Sequence, residues 1–214
     1  MDAHSEEQAR RTALLSALTT EHFVLQTATG TTYTEANARS SLYVMALSSS
    51  LVAMGFLASS PEAFVPFAAT VLPTLFLLGL FTVIRLVETA LESMHCLAGI
   101  ARIRTVYRSL GPDAARHFSA ARGRWPEADP PATRFGSVLA FFGTTASMIA
   151  VVNNVVAGAA VALLIGWLYP SAAGWVAALG GAVAALVLTV GFYDYQRWRF
   201  ADSGTVAGPV PTRE

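Results

Sequence analysis

The sequence has few of the charged residues that keep a soluble protein in water. Only 13% of its 214 residues are charged and 54% are hydrophobic, whereas soluble domains carry about 25% charged residues. Lysine is absent, so all 14 basic residues are arginine, and they are balanced by 14 acidic residues. This composition excludes an ordinary soluble domain, and residence in a membrane is its simplest cause.

Cysteine occurs once, at Cys96, which excludes a disulfide framework and is compatible with a reducing, cytoplasmic side. A signal peptide is also missing, because no short apolar segment with a small-residue cleavage site precedes the first long apolar run, about forty residues into the chain. We expect the first pair of spanning helices to act as its own insertion signal.

Patterns of catalytic or metal-binding residues are missing as well. Glu92 and His95 have the spacing of half a two-metal site in a helical bundle, but no second such pair exists. There is no glycine-rich phosphate loop, nucleophile motif or pair of carboxylates. No charged residue or histidine lies deep in an apolar run, which argues against a proton-coupled pump or a voltage sensor. We predict no enzymatic activity, cofactor or metal.

Long apolar runs are what the sequence does have. Two runs of about twenty residues lie between Ser41 and Arg85, and each is long enough to cross the ~30 Å hydrocarbon layer as a helix. Pro73, inside the second run, is expected to kink it. A third tract, 137–169, ends at Pro170, and a fourth run, 175–193, returns. The pattern predicts an all-α membrane protein with four spans in two hairpins.

The segments around the spans are also predicted to be helical. An amphipathic helix starts at Ser5 and ends at Gly30, and a new helix starts near Tyr33 after a capping signature at Thr32 and Glu35. The apolar stripe of the first helix contains Leu14, Leu15, Leu18, His22 and Leu25.

The second spanning helix has no breaker before Gly111, so it should project well beyond the membrane. A short helix over 113–122 and a proline-rich linker over 124–131 follow. Counting ~20 residues back from Tyr169 puts the inner end of the third span near Ile149. Residues 137–148 then form an apolar extension that packs on that of the second helix.

The sequence predicts an organisation in five parts. The last part is expected to lack regular structure from residue 204 onward. The five parts are a cytoplasmic arm (1–40), a transmembrane hairpin (41–85), a cytoplasmic helical segment with linker (86–136), a second hairpin (137–194) and a cytoplasmic tail (195–214).

The positions of the arginines predict the orientation. The turns at 60–63 and 169–174 contain none of the 14, whereas the arm, the segment from 85 to 134 and the C-terminal tail contain all of them. By the positive-inside rule both turns face out and both termini face the cytoplasm. The expected location is the inner, plasma membrane.

Two kinds of residue within the spans are candidate contact or pore positions. Ser48 and Ser49 lie in the first span, where they either pack against another helix or line a pore. At least one of Asn153 and Asn154 should face the bundle or a subunit interface, as a packing contact or as a ring in an oligomer, because a carboxamide in lipid is left unsatisfied. Ridges of small residues at intervals of four include Gly158 and Gly181 and favour close helix contact, within one chain or between subunits.

A basic cluster between the hairpins is the candidate ligand site. From residue 102 to residue 124 there are six arginines and one acid, Asp113, and such a cluster suits anionic lipid headgroups or a phosphate-bearing ligand. Aromatic residues nearby are too few for a nucleic-acid stacking surface, so no sequence-specific nucleic acid is expected. The arginines are Arg102, Arg104, Arg108, Arg116, Arg122 and Arg124.

The runs TALLSALTTEHFVLQ and TEANARSSLYVMALSSSLVAMGF resemble a group of uncharacterised bacterial multi-pass membrane proteins. A helical arm, a hairpin and a helical extension resemble, more loosely, the SLATT and four-helix membrane effectors of nucleotide-signalling defence systems, which are thought to form pores. The resemblance covers mainly residues 12–85 and transfers no functional residue.

Two functional hypotheses follow. The first is a homo-oligomeric, channel-like effector in the inner membrane, assembled through the small-residue ridges and gated by an anionic, nucleotide-like signal at the arginine cluster. The alternative is a non-conducting scaffold or accessory subunit that binds a cytoplasmic partner protein.

Overall fold

The computed structural model describes residues 3–118, 143–171 and 173–206. Over these ranges the chain is helical, with short turns and no strand, which confirms the predicted all-α class. The helices are α1 (Ala3–Leu57), α2 (Pro61–Arg108), α3 (Pro112–His117), α4 (Thr145–Leu168) and α5 (Gly174–Val206).

Four of these helices, α1, α2, α4 and α5, are long and apolar enough to cross a membrane. Their apolar side chains largely face outward, since only 6% of the apolar stretch is buried in α1 and in α5, against 33% in α2 and 39% in α4. Such a surface is stable in lipid, where helices satisfy their own backbone hydrogen bonds. The protein is therefore an integral, multi-pass membrane protein.

The described residues group into two compact units. The arm unit contains residues up to Glu35 and those from Thr89 through α3. The bundle unit contains residues Ala36–Glu88 together with α4 and α5. Helices α1 and α2 contribute to both units, and each unit has its own set of contacts.

In the arm unit, the first part of α1 runs antiparallel to the last part of α2. Leu25 packs on Gly99, where an added Cβ would lie 2.8 Å from Leu25 Cδ1, and the hydroxyl oxygens of Thr19 and Tyr107 are 3.4 Å apart. The stripe predicted on α1 supplies this face, except that Leu14 is exposed. Its partly buried members are Leu15, Leu18, His22 and Leu25.

The predicted break in the N-terminal region is wrong, because α1 is continuous from Ala3 to Leu57. Thr32, which was expected to cap a new helix, donates instead to the Thr29 carbonyl of this one at 2.8 Å, and the nearby Thr34 donates to the Gly30 carbonyl at 3.0 Å. A glycine inside a helix costs only about 1 kcal/mol relative to alanine. Ser5 likewise lies inside the first turn and is not the cap.

Other boundaries agree more closely with the prediction. Helix α2 continues to Arg108 with Pro66 and Pro73 inside, while a kink at Pro73 stays a prediction. Helix α3 ends at His117, where the Phe118 backbone is extended. Outside the described residues lie positions 119–122 of the predicted short helix, the linker at 124–131 and the first part of the 137–148 extension.

The second hairpin forms as predicted, with α4 ending two residues before Pro170 and α5 starting at Gly174. Helix α5 continues to Val206, so residues 204–206 of the predicted irregular tail are helical. The rest of the tail lies outside the described residues.

The core of the bundle unit lies where α1 and α4 pack on α2. Ala68, Leu72 and Leu75 of α2 are buried together with Val156 of α4. Partly buried side chains of α1 complete the cluster, among them Ala46, Leu47 and Met54. The buried polar residues of α4 lie outside this apolar cluster, and each forms its own hydrogen bonds with a neighbouring helix.

Candidate functional site

Asn153 joins α4 to two other helices through one carboxamide. Its Oδ1 accepts a hydrogen bond from the Tyr43 hydroxyl of α1 at 3.2 Å, and its Nδ2 donates to the Phe76 carbonyl of α2 at 3.2 Å. Asn153 is 2% exposed and Tyr43 is fully buried. Because water is absent at this depth, these partners supply the bonds that lipid cannot.

Gly79 makes room for that carboxamide. A Cβ added at Gly79 would overlap the Asn153 side chain and lie 2.8 Å from Tyr43 Cε2. Sequence reasoning missed both Gly79 and Tyr43. The available signal was a single glycine in the run LFLLGLF, where a small residue among large ones marks a close approach.

Asn154 joins α4 to the remaining long helix. Its Nδ2 donates to Thr189 Oγ1 of α5 at 3.1 Å, and that hydroxyl donates in turn to the Ala185 carbonyl at 2.8 Å. Asn154 is 7% exposed. The adjacent asparagines thus connect α4 to α1, α2 and α5.

A second polar layer lies at the start of α4. Ser147 Oγ donates to Gln196 Oε1 at 3.1 Å, and Gln196 Nε2 is 3.5 Å from Thr144 Oγ1. Thr144 is the N-cap of α4 and accepts from the Ser147 amide at 3.2 Å. Gln196 is almost fully buried. No local pattern in the sequence predicts a contact between residues so far apart in the chain.

These two layers fix the register of α4 against α5. Moving seven residues along α4, from Ser147 to Asn154, moves the partner seven residues back along α5, from Gln196 to Thr189. Seven residues is close to two helical turns, so both layers lie on the same face of each helix. The helices are therefore antiparallel and matched at two polar positions.

The two helices meet backbone to backbone further along the same face. A Cβ added at Gly158 would lie 2.5 Å from the Gly181 carbonyl oxygen and 3.0 Å from Ala185 Cβ. A Cβ added at Gly181 would lie 2.9 Å from Ala162 Cβ. The small-residue ridges pack within one chain at these positions, so this part of them is not available to join subunits.

The candidate pore serines lie elsewhere, on the outward side of α1. Ser48 and Ser49 are both exposed. Ser49 Oγ bonds back to the Met45 carbonyl at 2.9 Å. In the described part of the chain, the Ser48 hydroxyl has no hydrogen-bond partner.

The four described arginines of the predicted cluster lie on two helices and on different sides of α2. Arg104 and Arg108 are one turn apart on α2, whereas Arg102 is about 200° round the helix from Arg104 at ~100° per residue. Arg116 is on α3 and pairs with Asp113 at 2.7 Å. Arg122 and Arg124 lie outside the described residues.

An apolar groove of about 440 Å³ lies between α2 and α4. Its walls include Phe64 and Pro73 of α2 and Ala160 of α4, with Trp167 near the end of α4. No charged side chain lines it, so the groove offers no route for an ion through a single chain.

Fold and site together define an integral membrane protein with four long apolar helices, which are held together by buried amide and hydroxyl bonds and by the close contact of Gly158 with Gly181. Comparison with protein-family models, with curated proteins and with solved structures finds no match. The resemblance to SLATT and related effectors therefore stays a prediction.

Proposed function

We propose that the protein is a channel-like effector of the inner membrane, with both termini cytoplasmic, whose conducting path forms between copies along α1. The observation that carries this proposal is the exposed position of Ser48 and Ser49 on a helix that packs little within its own chain. A hydroxyl in lipid without a partner is unfavourable. A second copy of α1, or water between copies, would satisfy Ser48.

The contacts within one chain favour a path between copies over a path through the chain. The amide nitrogens of Asn153 and Asn154 are both engaged internally. These bonds connect helices of the same chain, which favours a conducting path that does not use the asparagines as a ring around an oligomer axis. The groove between α2 and α4 is apolar.

Opening of the path is assigned to an anionic, nucleotide-like signal received at the arginines of the cytoplasmic segment. The asymmetric distribution of arginine supports placing that segment inside the cell. Arginine also suits the purpose, because its planar fork binds phosphate through two parallel hydrogen bonds.

The proposal is tested by measuring ion flux across the membrane of liposomes that contain the purified protein, with and without candidate nucleotides. In a Cys96→Ala background, Ser48→Cys treated with a thiol-reactive methanethiosulfonate cation is expected to lose most of the flux. Thr74→Cys, on an exposed side of α2, is the matched control and should conduct normally.

Absence of flux with every nucleotide would end the channel proposal. If the methanethiosulfonate cation blocks Ser48→Cys and Thr74→Cys equally, α1 does not line the conducting path.

A scaffold is the second candidate, and exposed apolar residues on the arm unit favour it. Phe23 is 63% exposed and Val24 is 55% exposed on α1, outside the predicted spans. Apolar side chains exposed together in water often mark a protein interface. A stoichiometric partner that co-purifies with the wild-type chain and is lost from Phe23→Ser with Val24→Ser would favour this role; purification of the chain alone would count against it.

A further inference from the structure

The guanidinium of Arg108 contains a polar atom that the folded chain leaves unsatisfied. Its Nε is buried and, in the described part of the chain, has no hydrogen-bond acceptor. Leaving a buried donor unpaired is costly, and more so when the group is charged. A bound acceptor that carries negative charge would remove this cost.

The contacts around Arg108 fix the residue before it, and they do not neutralise the charge of Arg108. The preceding residue, Tyr107, is fixed by its hydroxyl beside Thr19 and by its ring, which lies 5.4 Å from the ring of Phe118. Asp113 is engaged with Arg116 at 2.7 Å. No carboxylate in the described residues forms an ion pair with Arg108.

Arg104 lies one turn before Arg108, and the two are about 40° apart around α2 at ~100° per residue. Both side chains are partly buried. Like charges at this spacing on a helix destabilise it slightly. An anion bound between them would turn that repulsion into two charge-assisted contacts.

We propose that Arg104 and Arg108 together form a binding site for a phosphate group. This inference rests on the proposed function and narrows its signal site, among the four described arginines, to Arg104 and Arg108, leaving out Arg102 and Arg116. The two guanidinium groups would donate hydrogen bonds to the phosphate oxygens, with Arg108 Nε as one of the donors. The phosphate belongs either to a soluble phosphate ester or to a lipid headgroup.

The test is isothermal titration of the full-length protein in detergent with inorganic pyrophosphate. Arg104→Gln and Arg108→Gln are each expected to weaken binding about tenfold or more, because each removes charged hydrogen bonds. Arg102→Gln removes the same charge from the opposite side of the same helix and should change affinity by less than about twofold by comparison. No saturable binding, or equal loss in Arg102→Gln, would overturn the proposal.

Thermal unfolding without ligand separates a binding role from a structural one. Arg108→Gln should be as stable as the wild type or more stable, since it removes a buried N–H donor that has no acceptor in the described part of the chain, and pyrophosphate should no longer stabilise it. A clear loss of ligand-free stability would contradict the proposal.

Nanodiscs of phosphatidylcholine, with or without phosphatidylglycerol, identify the source of the phosphate. Weaker pyrophosphate binding in the anionic discs points to a headgroup, and unchanged binding points to a soluble ester. These measurements do not depend on conduction, so the site can stand if the channel proposal fails, and it can fail if the channel proposal stands.

Discussion

Gly158→Leu is expected to destabilise the bundle unit by about 3 kcal/mol or more, because overpacking a close contact costs 1–3 kcal/mol and sometimes more. The new side chain would meet the Gly181 carbonyl oxygen 2.5 Å from its Cβ, and this backbone atom cannot rotate away as the end of a flexible side chain can. Separating α4 from α5 would also strain the bond from Asn154 to Thr189, one turn away. The thermal midpoint of the detergent-solubilised protein should fall by roughly 6–12 °C.

Gly166→Leu is the matched control, on the same helix and with the same change in side chain. Nothing lies within 4 Å of a Cβ added at Gly166, and replacing glycine inside a helix removes an entropic cost of about 1 kcal/mol. This variant should be as stable as the wild type or slightly more stable. Equal stability of the two variants would show that α4 and α5 do not meet at Gly158.

Asn153→Leu is expected to cost about 1–3 kcal/mol, because it removes two buried hydrogen bonds and leaves the Tyr43 hydroxyl without its acceptor. Leucine is close to asparagine in size, so the loss is chiefly one of polar pairing. Tyr43→Phe removes one bond only and should cost less, about 0.6–1.7 kcal/mol by the range measured for bonds between membrane helices.

The double variant Tyr43→Phe with Asn153→Leu measures the interaction energy between these two side chains, apart from their other contacts. With Tyr43→Phe already present, Asn153→Leu no longer orphans a hydroxyl, so the combined loss should be smaller than the sum of the single losses by about 0.5–1.5 kcal/mol. The shift can be measured by unfolding in mixed micelles of rising detergent strength. Strict additivity would mean that the two side chains do not interact.

Much of the fold follows from patterns that the sequence displays locally. Length and hydropathy locate four spanning helices, Pro170 ends α4, and the lack of a breaker before Gly111 carries α2 to Arg108. The stripe that includes Leu18 and Leu25 locates the face of α1 that packs on α2. These predictions hold because they depend on the helix period and on known breakers.

The failure at Gly30 has a physical cause. Threonines around it can cap a new helix or bond back to the existing one, and the residue types alone do not decide between these uses. Continuation of α1 on both sides makes back-bonding the outcome.

The site was only half visible in the sequence. Asn153 and Asn154 stand out because carboxamides are rare in an apolar run, and the spacing of small residues marks Gly158 and Gly181. Tyr43 and Thr189, the partners of the asparagines, carry no such mark, and neither does Gln196, the partner of Ser147. Pairing across 35 to 110 residues depends on how the helices pack, which local patterns do not determine.

Labelling of single cysteines tests the topology on which every functional assignment depends. In a Cys96→Ala background, a membrane-impermeant maleimide applied to intact spheroplasts should label Glu62→Cys and Ser171→Cys in the two outer turns. Arg108→Cys should react only after the membrane is permeabilised. Reaction of position 62 or 171 in the same compartment as position 108 would contradict four crossings with the arginines on one side.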